Sequence, residues 1–340
     1  MQQILLSCEF LIAAASCNAD QLDDVIRNLS EISSAIEEMT EVYLLEEDLL
    51  NKLTDQKKYP SERHFEKNIK SDPGCAYSAK DVVRLVNNIL ERCRSFDYMS
   101  EAAFDLIHKS LVPNFLPQSA RSNELSSMLE GVALHNEFSL NPTISVLHKC
   151  AENNFKTTTF SATVIDTSEP HQYTLPHRFQ RITRLDSDYK TFLLNSSVAE
   201  IESLNSTPEF KIRLAIYVES LKELRARNEP LDKISFKDIV LSPGFLRSLV
   251  VNSSGFSQPF FGTTLGVMAK LFSRSPTLEI NYFFDSDGEK ARTHGEYTAY
   301  RVHITKANQA LRLLYWKNKR GDVVLANIGP KHELKIEKPV

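Results

Sequence analysis

Apolar side chains recur at steps of three and four residues through much of the first 230 residues, and this spacing is typical of one face of an α-helix. The clearest series, from about Asp20 to Thr54, comprises Leu22, Val25, Leu29, Ile32, Ile36, Met39, Tyr43, Leu50 and Leu53. We interpret it as one long amphipathic helix with an acidic outer face. Packing inside a helical domain and a coiled-coil seam between two copies of the chain both fit this pattern, so an oligomer formed through residues 20–54 stays open.

Other helices are predicted from start and stop signals. Ser78 with Asp81 three residues later is a capping-box pattern, and Pro208 stands at the first turn of an apolar-faced segment that runs to Arg227. Helices are also predicted near the N-terminus and at 100–111, 124–134 and 197–204. Residues 55–74 are predicted as a loop.

Residues 156–195 differ, because β-branched and alternating side chains there predict a small β insertion. The break at Asn228–Pro230 predicts a domain boundary. Residues 1–230 are therefore expected to form an acidic, mainly α N-terminal region with a small β insertion, in a regulatory or sensing role.

Composition excludes several classes of protein. The chain is 42% hydrophobic and 25% charged, which is typical of a folded domain, and it has no apolar run long enough to span a bilayer. Its five cysteines are widely spaced, without a Cys-x-x-Cys pair, which predicts a cytoplasmic location. Nucleotide-binding glycine loops, serine-hydrolase elbows and His-Glu-x-x-His motifs do not occur, so no cofactor and no metal are expected.

Charge is distributed unevenly along the chain. The net charge is −4, but residues 231–340 hold 16 Lys and Arg against 10 Asp and Glu, whereas the remainder holds 24 against 34. A basic segment attached to an acidic body predicts a polyanionic partner, usually nucleic acid. Chance segregation of surface charge is the alternative interpretation.

The basic segment has the pattern of an α+β domain. Turn residues, a proline-bounded helix and alternating apolar strands predict two helices followed by an antiparallel meander. The expected strands lie at 234–240, 277–284, 299–305, 309–316 and 322–328, the helices at 242–251 and 261–274, and turns at 285–288 and 317–321.

Four stretches of this segment resemble the RelE and ParE superfamily of bacterial toxins. They are Arg292–Glu296, Tyr300–Ile304, Leu311–Tyr315 and Val323–His332, within a region of similarity that covers residues 233–338. The resemblance implies a RelE-like domain at 231–340, with two helices packed on an antiparallel sheet. It also implies a toxin or antiviral defence effector of the toxin–antitoxin type, with an antitoxin protein as a partner.

Strand alternation makes a physical prediction about the basic residues, whatever the family. Arg301 and His303 should lie on one face of their strand, and Arg312 on the next strand could join them. Lys331 and His332 follow the last strand. We therefore expect these five side chains to form one cationic patch. Tyr315 and Trp316 are expected in the core.

The resemblance assigns roles to this patch. Ribonucleases of the family cleave RNA, often ribosome-bound mRNA, by metal-independent attack of the ribose 2′-hydroxyl on the adjacent phosphorus. Arg301, Arg312 and Lys331 would stabilise phosphoryl charge, and His303 and His332 would serve as acid and base. The hairpin tip, with Lys317, Lys319 and Arg320, is either a solvated turn or a contact to RNA or the ribosome. The acidic N-terminal domain could restrain this activity by covering the patch.

Two other functions remain open. Many active family members carry an aromatic residue after the last strand, where this chain has Leu334 and Ile336. A non-catalytic protein that docks nucleic acid or a partner protein, and a toxin directed at gyrase, are therefore the alternatives.

Overall fold

The structure is a computed structural model. It describes residues 3–39, 42–55, 59–72, 74–96, 103–113, 122–139, 143–149, 156–168, 172–284, 288, 290–305 and 310–339. The chain forms two compact units, Met1–Asn195 and Ser196–Val340. Each unit has its own sheet.

The first unit is built on a mixed sheet of seven strands in the order β3-β2-β1-β5-β7-β6-β4. Strands β3, β2, β1, β5 and β7 are parallel, whereas β6 and β4 run antiparallel at one side. The central strands are short, continuous apolar runs, as is usual where both faces of a sheet are covered. Their bounds are β1 (Gln3–Leu6), β2 (Tyr43–Leu45), β3 (Arg94–Ser95), β4 (Phe104–Val112), β5 (Ile144–Leu147), β6 (Thr157–Thr167) and β7 (His177–Asp186).

Helices cover both faces of this sheet. They are α1 (Cys8–Leu11), α2 (Ala19–Ile36), α3 (Leu49–Asp55), α4 (Glu62–Ser71), α5 (Ala79–Arg92), α6 (Ser122–Phe138) and α7 (Tyr189–Leu193), with a 3₁₀ turn at Ala13–Ala15. Leu5 and Leu44 share an apolar cluster with α6. On the opposite face, Tyr43 contacts Tyr189 of α7, whose backbone N–H donates to Asn28 of α2.

The expected mainly α N-terminal region is therefore wrong, because this unit is α/β. The described part of the predicted helix over 20–54 contains α2, β2 and α3, and residues 104–111 of the predicted helix over 100–111 belong to strand β4. Residues 40–41 and 100–102 lie outside the described residues. The predicted loop at 55–74 contains α4. Tyr43 continues the helical spacing of α2, yet it pairs with Ile4 of β1. Pairing with β1 determined the secondary structure of this segment, because an apolar run of three residues is too short to show a helical or a strand periodicity.

The expected oligomer through residues 20–54 loses its physical basis. The apolar stripe of α2 is already buried within the first unit, where Leu22, Val25, Leu29, Ile32 and Ile36 are at most 3% exposed. These side chains cannot also form a coiled-coil seam. The predicted α5 is present, with the Ser78–Asp81 capping box formed in both directions.

The second unit contains a mixed sheet of six strands in the order β10-β11-β12-β13-β8, with β9 also paired to β11. Strand β8 is parallel to β13. The strands are β8 (Val240–Leu241), β9 (Ile280–Tyr282), β10 (Thr293–His294), β11 (Tyr297–His303), β12 (Arg312–Lys317) and β13 (Val323–Gly329). The helices are α8 (Val198–Glu202), α9 (Pro208–Ala226), α10 (Phe245–Val251) and α11 (Phe261–Phe272), with 3₁₀ turns at Leu231–Lys233 and Phe236–Asp238.

Helix α9 begins as its sequence predicts, with the Thr207 side chain accepting a hydrogen bond from the Phe210 backbone N–H and proline at the first turn. It packs against α11, and α10 packs against β13. The two units divide between Asn195 and Ser196, whereas the sequence predicts a boundary at residue 230. The helix that precedes the predicted boundary therefore belongs to the second unit.

The RelE-like architecture expected for residues 231–340 is also wrong. The meander β11-β12-β13 is present, but it is part of a six-stranded mixed sheet rather than a small antiparallel sheet under two helices. The parallel strand β8 and the added helix α9 account for the difference. Residues 285–287 of the predicted turn lie outside the described residues. None of the helices in the described ranges has the length and apolar character needed to cross a bilayer.

Candidate functional site

Three of the predicted site residues lie on one face of the second sheet. His303 of β11 pairs directly with Arg312 of β12, and Arg301 pairs with Leu314. Side chains of directly paired residues lie on the same face, and so do those two positions apart along a strand. Arg301, His303 and Arg312 are thus neighbours, and we call them the basic face.

Arg312 is the most constrained member of the basic face. Its Nη1 donates to the Lys331 carbonyl oxygen at 2.9 Å, while its Nε is buried without a hydrogen-bond partner among the described residues. Burial and the positive charge of Arg301 lower the pKa of the Arg312 guanidinium. Neither arginine forms an ion pair with a carboxylate in the described part of the chain. Two adjacent cations without an ion-pair partner repel one another, and a bound anion would relieve this repulsion.

Glycine at position 329 allows the chain to turn back beside Arg312. Gly329 pairs with Arg312, and a Cβ atom at 329 would lie 2.6 Å from Glu333 Cγ. The Glu333 side chain therefore lies over the strand end. Its Oε1 accepts a hydrogen bond from the Lys335 backbone N–H at 2.8 Å.

The residues after β13 form a C-terminal tail (residues 331–339) along the same face of the sheet. Asn327 Nδ2 donates to the Lys335 carbonyl at 3.2 Å, and Trp316 Nε1 donates to the Glu337 carbonyl at 2.6 Å. The side chain of Ile336 packs on an apolar cluster around Trp316 and Leu314. The predicted site residues Lys331 and His332 are exposed at the start of this tail. The Lys331 backbone carbonyl accepts from Arg312, and within the described ranges the side chains of Lys331 and His332 form no hydrogen bond with the basic face.

The predicted RNA-contacting tip lies at the other end of β12. Lys317, Lys319 and Arg320 are exposed, and Lys317 is five positions along the strand from Arg312, which is about 17 Å at 3.4 Å per residue. The tip therefore does not join the predicted catalytic residues. Instead, Lys317 lines a cleft of about 530 Å³.

Sequence reasoning missed the other cations of this cleft. They are Lys233, Lys237 and Arg274, from the segment before β8 and the turn after α11. The spacing of Lys233 and Lys237 was a visible signal, but Arg274 is brought to them only by the fold. We call this cleft the basic cleft.

The first unit has a second concentration of polar groups, which the sequence analysis also missed. It lies at the carboxyl ends of the parallel strands, where ligands of open α/β sheets commonly bind. Ser7 Oγ and His148 Nδ1 are 3.0 Å apart, across the ends of β1 and β5. Glu46, after β2, accepts hydrogen bonds from the Cys8 backbone N–H and from Lys52 Nζ, both at 3.0 Å. The signal in the sequence was a polar residue directly after each short apolar run.

This cluster is closed rather than open to a ligand. Ser7 and Glu46 are fully buried, and His148 is 6% exposed. Their hydrogen bonds join neighbouring strand ends to one another and to α1. At the end of β7, burial raises the pKa of Asp186, which pairs with Arg184 at 2.7 Å. We interpret the cluster as the device that ties the strand ends together.

Burial determines the protonation state of one cysteine of the first unit. Burial raises the pKa of the Cys93 thiol to about 12, so this thiol is protonated at neutral pH. Among the described residues, no group of three or more His, Cys, Asp and Glu side chains is arranged to hold a metal ion.

The fold and the sites define an α/β protein whose second unit carries a basic face and a basic cleft. No protein-family model, curated protein or solved structure matches the chain. The resemblance to RelE and ParE toxins therefore rests on the sequence motifs alone.

Proposed function

We propose that the second unit binds RNA through phosphate groups held at the basic face. The observation that carries this proposal is the pair of neighbouring guanidiniums of Arg301 and Arg312, which have no carboxylate partner among the described residues. Guanidinium groups match phosphate oxygens with paired, charge-assisted hydrogen bonds. The hydrogen bond from Arg312 Nη1 to the Lys331 carbonyl holds this guanidinium in place beside Arg301.

The wider charge distribution supports the same ligand class. Residues 196–340 hold 21 Lys and Arg against 16 Asp and Glu, whereas residues 1–195 hold 19 against 28. A net positive unit attracts polyanions and accelerates their association. The choice of RNA over DNA rests on the sequence resemblance of residues 292–332.

Binding of a labelled single-stranded RNA to the full chain, measured by fluorescence anisotropy, tests this proposal. Arg301→Ala and Arg312→Ala should each weaken binding about tenfold, because a hydrogen bond to a charged group contributes about 1.5 kcal/mol or more. The slope of the logarithm of the binding constant against the logarithm of the salt concentration should become shallower by about one for each cation removed. Arg225→Ala, an exposed arginine on α9, is the matched control. Equal affinity and equal salt dependence of all three variants would exclude the basic face as the RNA site.

Cleavage of the bound RNA is a second candidate function, favoured by the direct pairing of His303 with Arg312. The ribose 2′-oxygen would attack phosphorus, giving a 2′,3′-cyclic phosphate and a 5′-hydroxyl that takes up a proton. A histidine beside a phosphate-binding arginine can remove or supply such a proton.

The test is incubation of the protein with RNA in the presence of a metal chelator. A cyclic phosphate product is expected, and His303→Asn should slow its formation about 100-fold while RNA binding stays within twofold. Substrate with a single 2′-deoxy nucleotide at the cleavage position should remain intact. Binding without any cleavage leaves the docking function and removes the enzymatic one.

A further inference from the structure

We infer that the basic cleft is a second phosphate subsite for the same RNA strand, joined to the basic face by the C-terminal tail. This inference rests on the proposed function and adds the extent and path of the RNA. It adds Lys237 and Arg274, which the sequence analysis does not name, to Lys317 of the predicted tip.

The cations of the cleft are available, whereas its carboxylates are engaged. Lys237, Arg274 and Lys317 are exposed, and none of them pairs with a carboxylate within the described ranges. By contrast, Asp322 Oδ2 accepts from Asn318 Nδ2 at 2.7 Å, and Asp238 Oδ2 accepts from the Ser235 backbone N–H at 2.7 Å. An incoming phosphate would therefore meet three cations without ion-pair partners, beside two carboxylates held by hydrogen bonds to their own turns.

The β12–β13 hairpin brings Arg274 and Lys317 to one site. Gly321 has φ +98°, a left-handed conformation that residues with a Cβ rarely adopt, and the Arg274 guanidinium would lie 3.7 Å from a Cβ at this position. The turn after α11 and the hairpin thus meet directly. The cleft is a built feature of the fold rather than a group of unrelated surface lysines.

The cleft lies at the end of β12 away from Arg312, and both faces of the sheet contribute to it. Lys317 is five positions from Arg312, and Ile280 pairs with Val302, so these two side chains lie on the face opposite to the basic face. The other wall of the cleft belongs to the face that carries Arg301. Val240, Tyr297 and Val324 line it, and these residues belong to the apolar cluster with Ala299 and Leu314. Ala299 is two positions before Arg301 on β11, so both side chains lie on one face. One wall of the basic cleft is therefore the far end of the sheet surface that carries the basic face.

The C-terminal tail runs from one end of this surface to the other. Its Lys331 carbonyl contacts Arg312 at the first end, and its Glu337 carbonyl contacts Trp316 near the second. The exposed residues Lys331, His332, Lys335 and Lys338 are distributed along it. The separation of about 17 Å along β12 corresponds to about five nucleotides of a stacked strand at 3.4 Å each.

RNA length separates the two subsites experimentally. The full chain would be titrated with a 3-nucleotide RNA, which can occupy only one subsite, and with a 12-nucleotide RNA. Lys237→Ala/Arg274→Ala should weaken binding of the 12-mer at least tenfold, lower its salt slope by about two, and change 3-mer binding less than twofold. Lys80→Ala/Arg84→Ala, an exposed lysine and arginine of α5, removes the same charge elsewhere and should bind both RNAs as the wild type does.

The basic-face variant Arg301→Ala/Arg312→Ala distinguishes the two proposals. It should weaken the binding of both RNAs. If the cleft variant binds the 12-mer like the wild type, the second subsite is excluded and the proposed function stands. If the cleft variant no longer binds the 12-mer while the basic-face variant binds both RNAs normally, the proposed site is wrong and the cleft is the RNA site. A wild type that binds neither RNA excludes both. Thermal unfolding of each variant checks that it is folded.

Discussion

At the residue scale, two pairs of buried polar side chains link α7 to the rest of the first unit. The hydroxyls of Tyr43 and Tyr189 lie 2.6 Å apart in the core, and Lys190 pairs with Glu31 at 3.3 Å, both nearly buried. A buried polar group costs free energy unless its hydrogen-bonding capacity is met. These pairs therefore specify how α7 and α2 meet the sheet.

The tyrosine pair yields a double-mutant prediction. Tyr43→Phe or Tyr189→Phe alone should lower the free energy of unfolding by about 1–2 kcal/mol, because the remaining hydroxyl loses its partner inside the core. The double variant should be more stable than the sum of the two losses predicts, since no polar group is then left unpaired. Urea unfolding followed by circular dichroism measures this. Strict additivity of the two losses would show that the hydroxyls do not interact.

The same pair makes the first unit sensitive to alkali. Burial raises the pKa of both tyrosines above the ordinary value of 10. A raised folded-state pKa means that stability is fully present below about pH 10 and falls as the pH rises beyond it, because the unfolded chain loses the protons first. Urea midpoints measured between pH 8 and 11 should decline above pH 10 in the wild type. The decline should be shallower in the double phenylalanine variant.

At the element scale, an irregular segment covers part of the core of the second unit. The C-terminal tail has no helix or strand, yet it satisfies the indole N–H of Trp316 and covers the apolar cluster beneath it. In the first unit, a very short strand also has a central position. Strand β2 has three residues, but it is buried between β1 and β3, and it interrupts the helical spacing of apolar residues that begins in α2.

Deletion of the tail tests its role in packing. A chain ending at Pro330 should lose about 2 kcal/mol of the stability of the second unit, because Trp316 loses its acceptor and apolar surface is uncovered. Trp316 is the single tryptophan of the chain and is 3% exposed, so its fluorescence emission should shift to the red. A chain that lacks only residues 339 and 340 should resemble the wild type. Unchanged emission of the shorter chain would mean that the tail does not cover Trp316.

At the scale of the whole molecule, the division into units decides which fragments can fold. Helix α9 precedes the boundary predicted at residue 230, but its apolar side chains, among them Phe210, Leu214 and Leu221, are buried in the second unit. A fragment that begins at residue 231 lacks this helix and exposes the surface of α11 that packs against it.

Two fragments test the boundary. Residues 196–340 should unfold cooperatively on heating and show a dispersed amide NMR spectrum, because their core is complete. Residues 231–340 should show a broad transition and poor dispersion, since large apolar surfaces remain uncovered. A cooperative, well-dispersed fragment of residues 231–340 would place the boundary where the sequence predicts it.

Local signals predicted much of the second unit. The meander, the helices α9 to α11 and the burial of Tyr315 and Trp316 follow from turn residues, caps and alternation. Alternation also predicted that Arg301 and His303 would share a face, and strand pairing added Arg312. The basic cleft was not predictable. Arg274 and Lys317 lie on separate elements, and the sequence does not show that the β12–β13 hairpin packs beside the turn after α11.

The amino-acid sequence alone was sufficient where a signal is local, as in the capping box of Ser78 and Asp81, the start of α9 at Pro208, and the alternation along β11. It was insufficient for the short apolar runs that became β1, β2 and β5. Such a run carries no clear period, and its backbone hydrogen bonds are satisfied only when a distant run pairs with it, as Ile4 does with Tyr43 and Ser145. The α/β character of the first unit and the closed polar cluster at its strand ends therefore arise only when the chain folds as a whole.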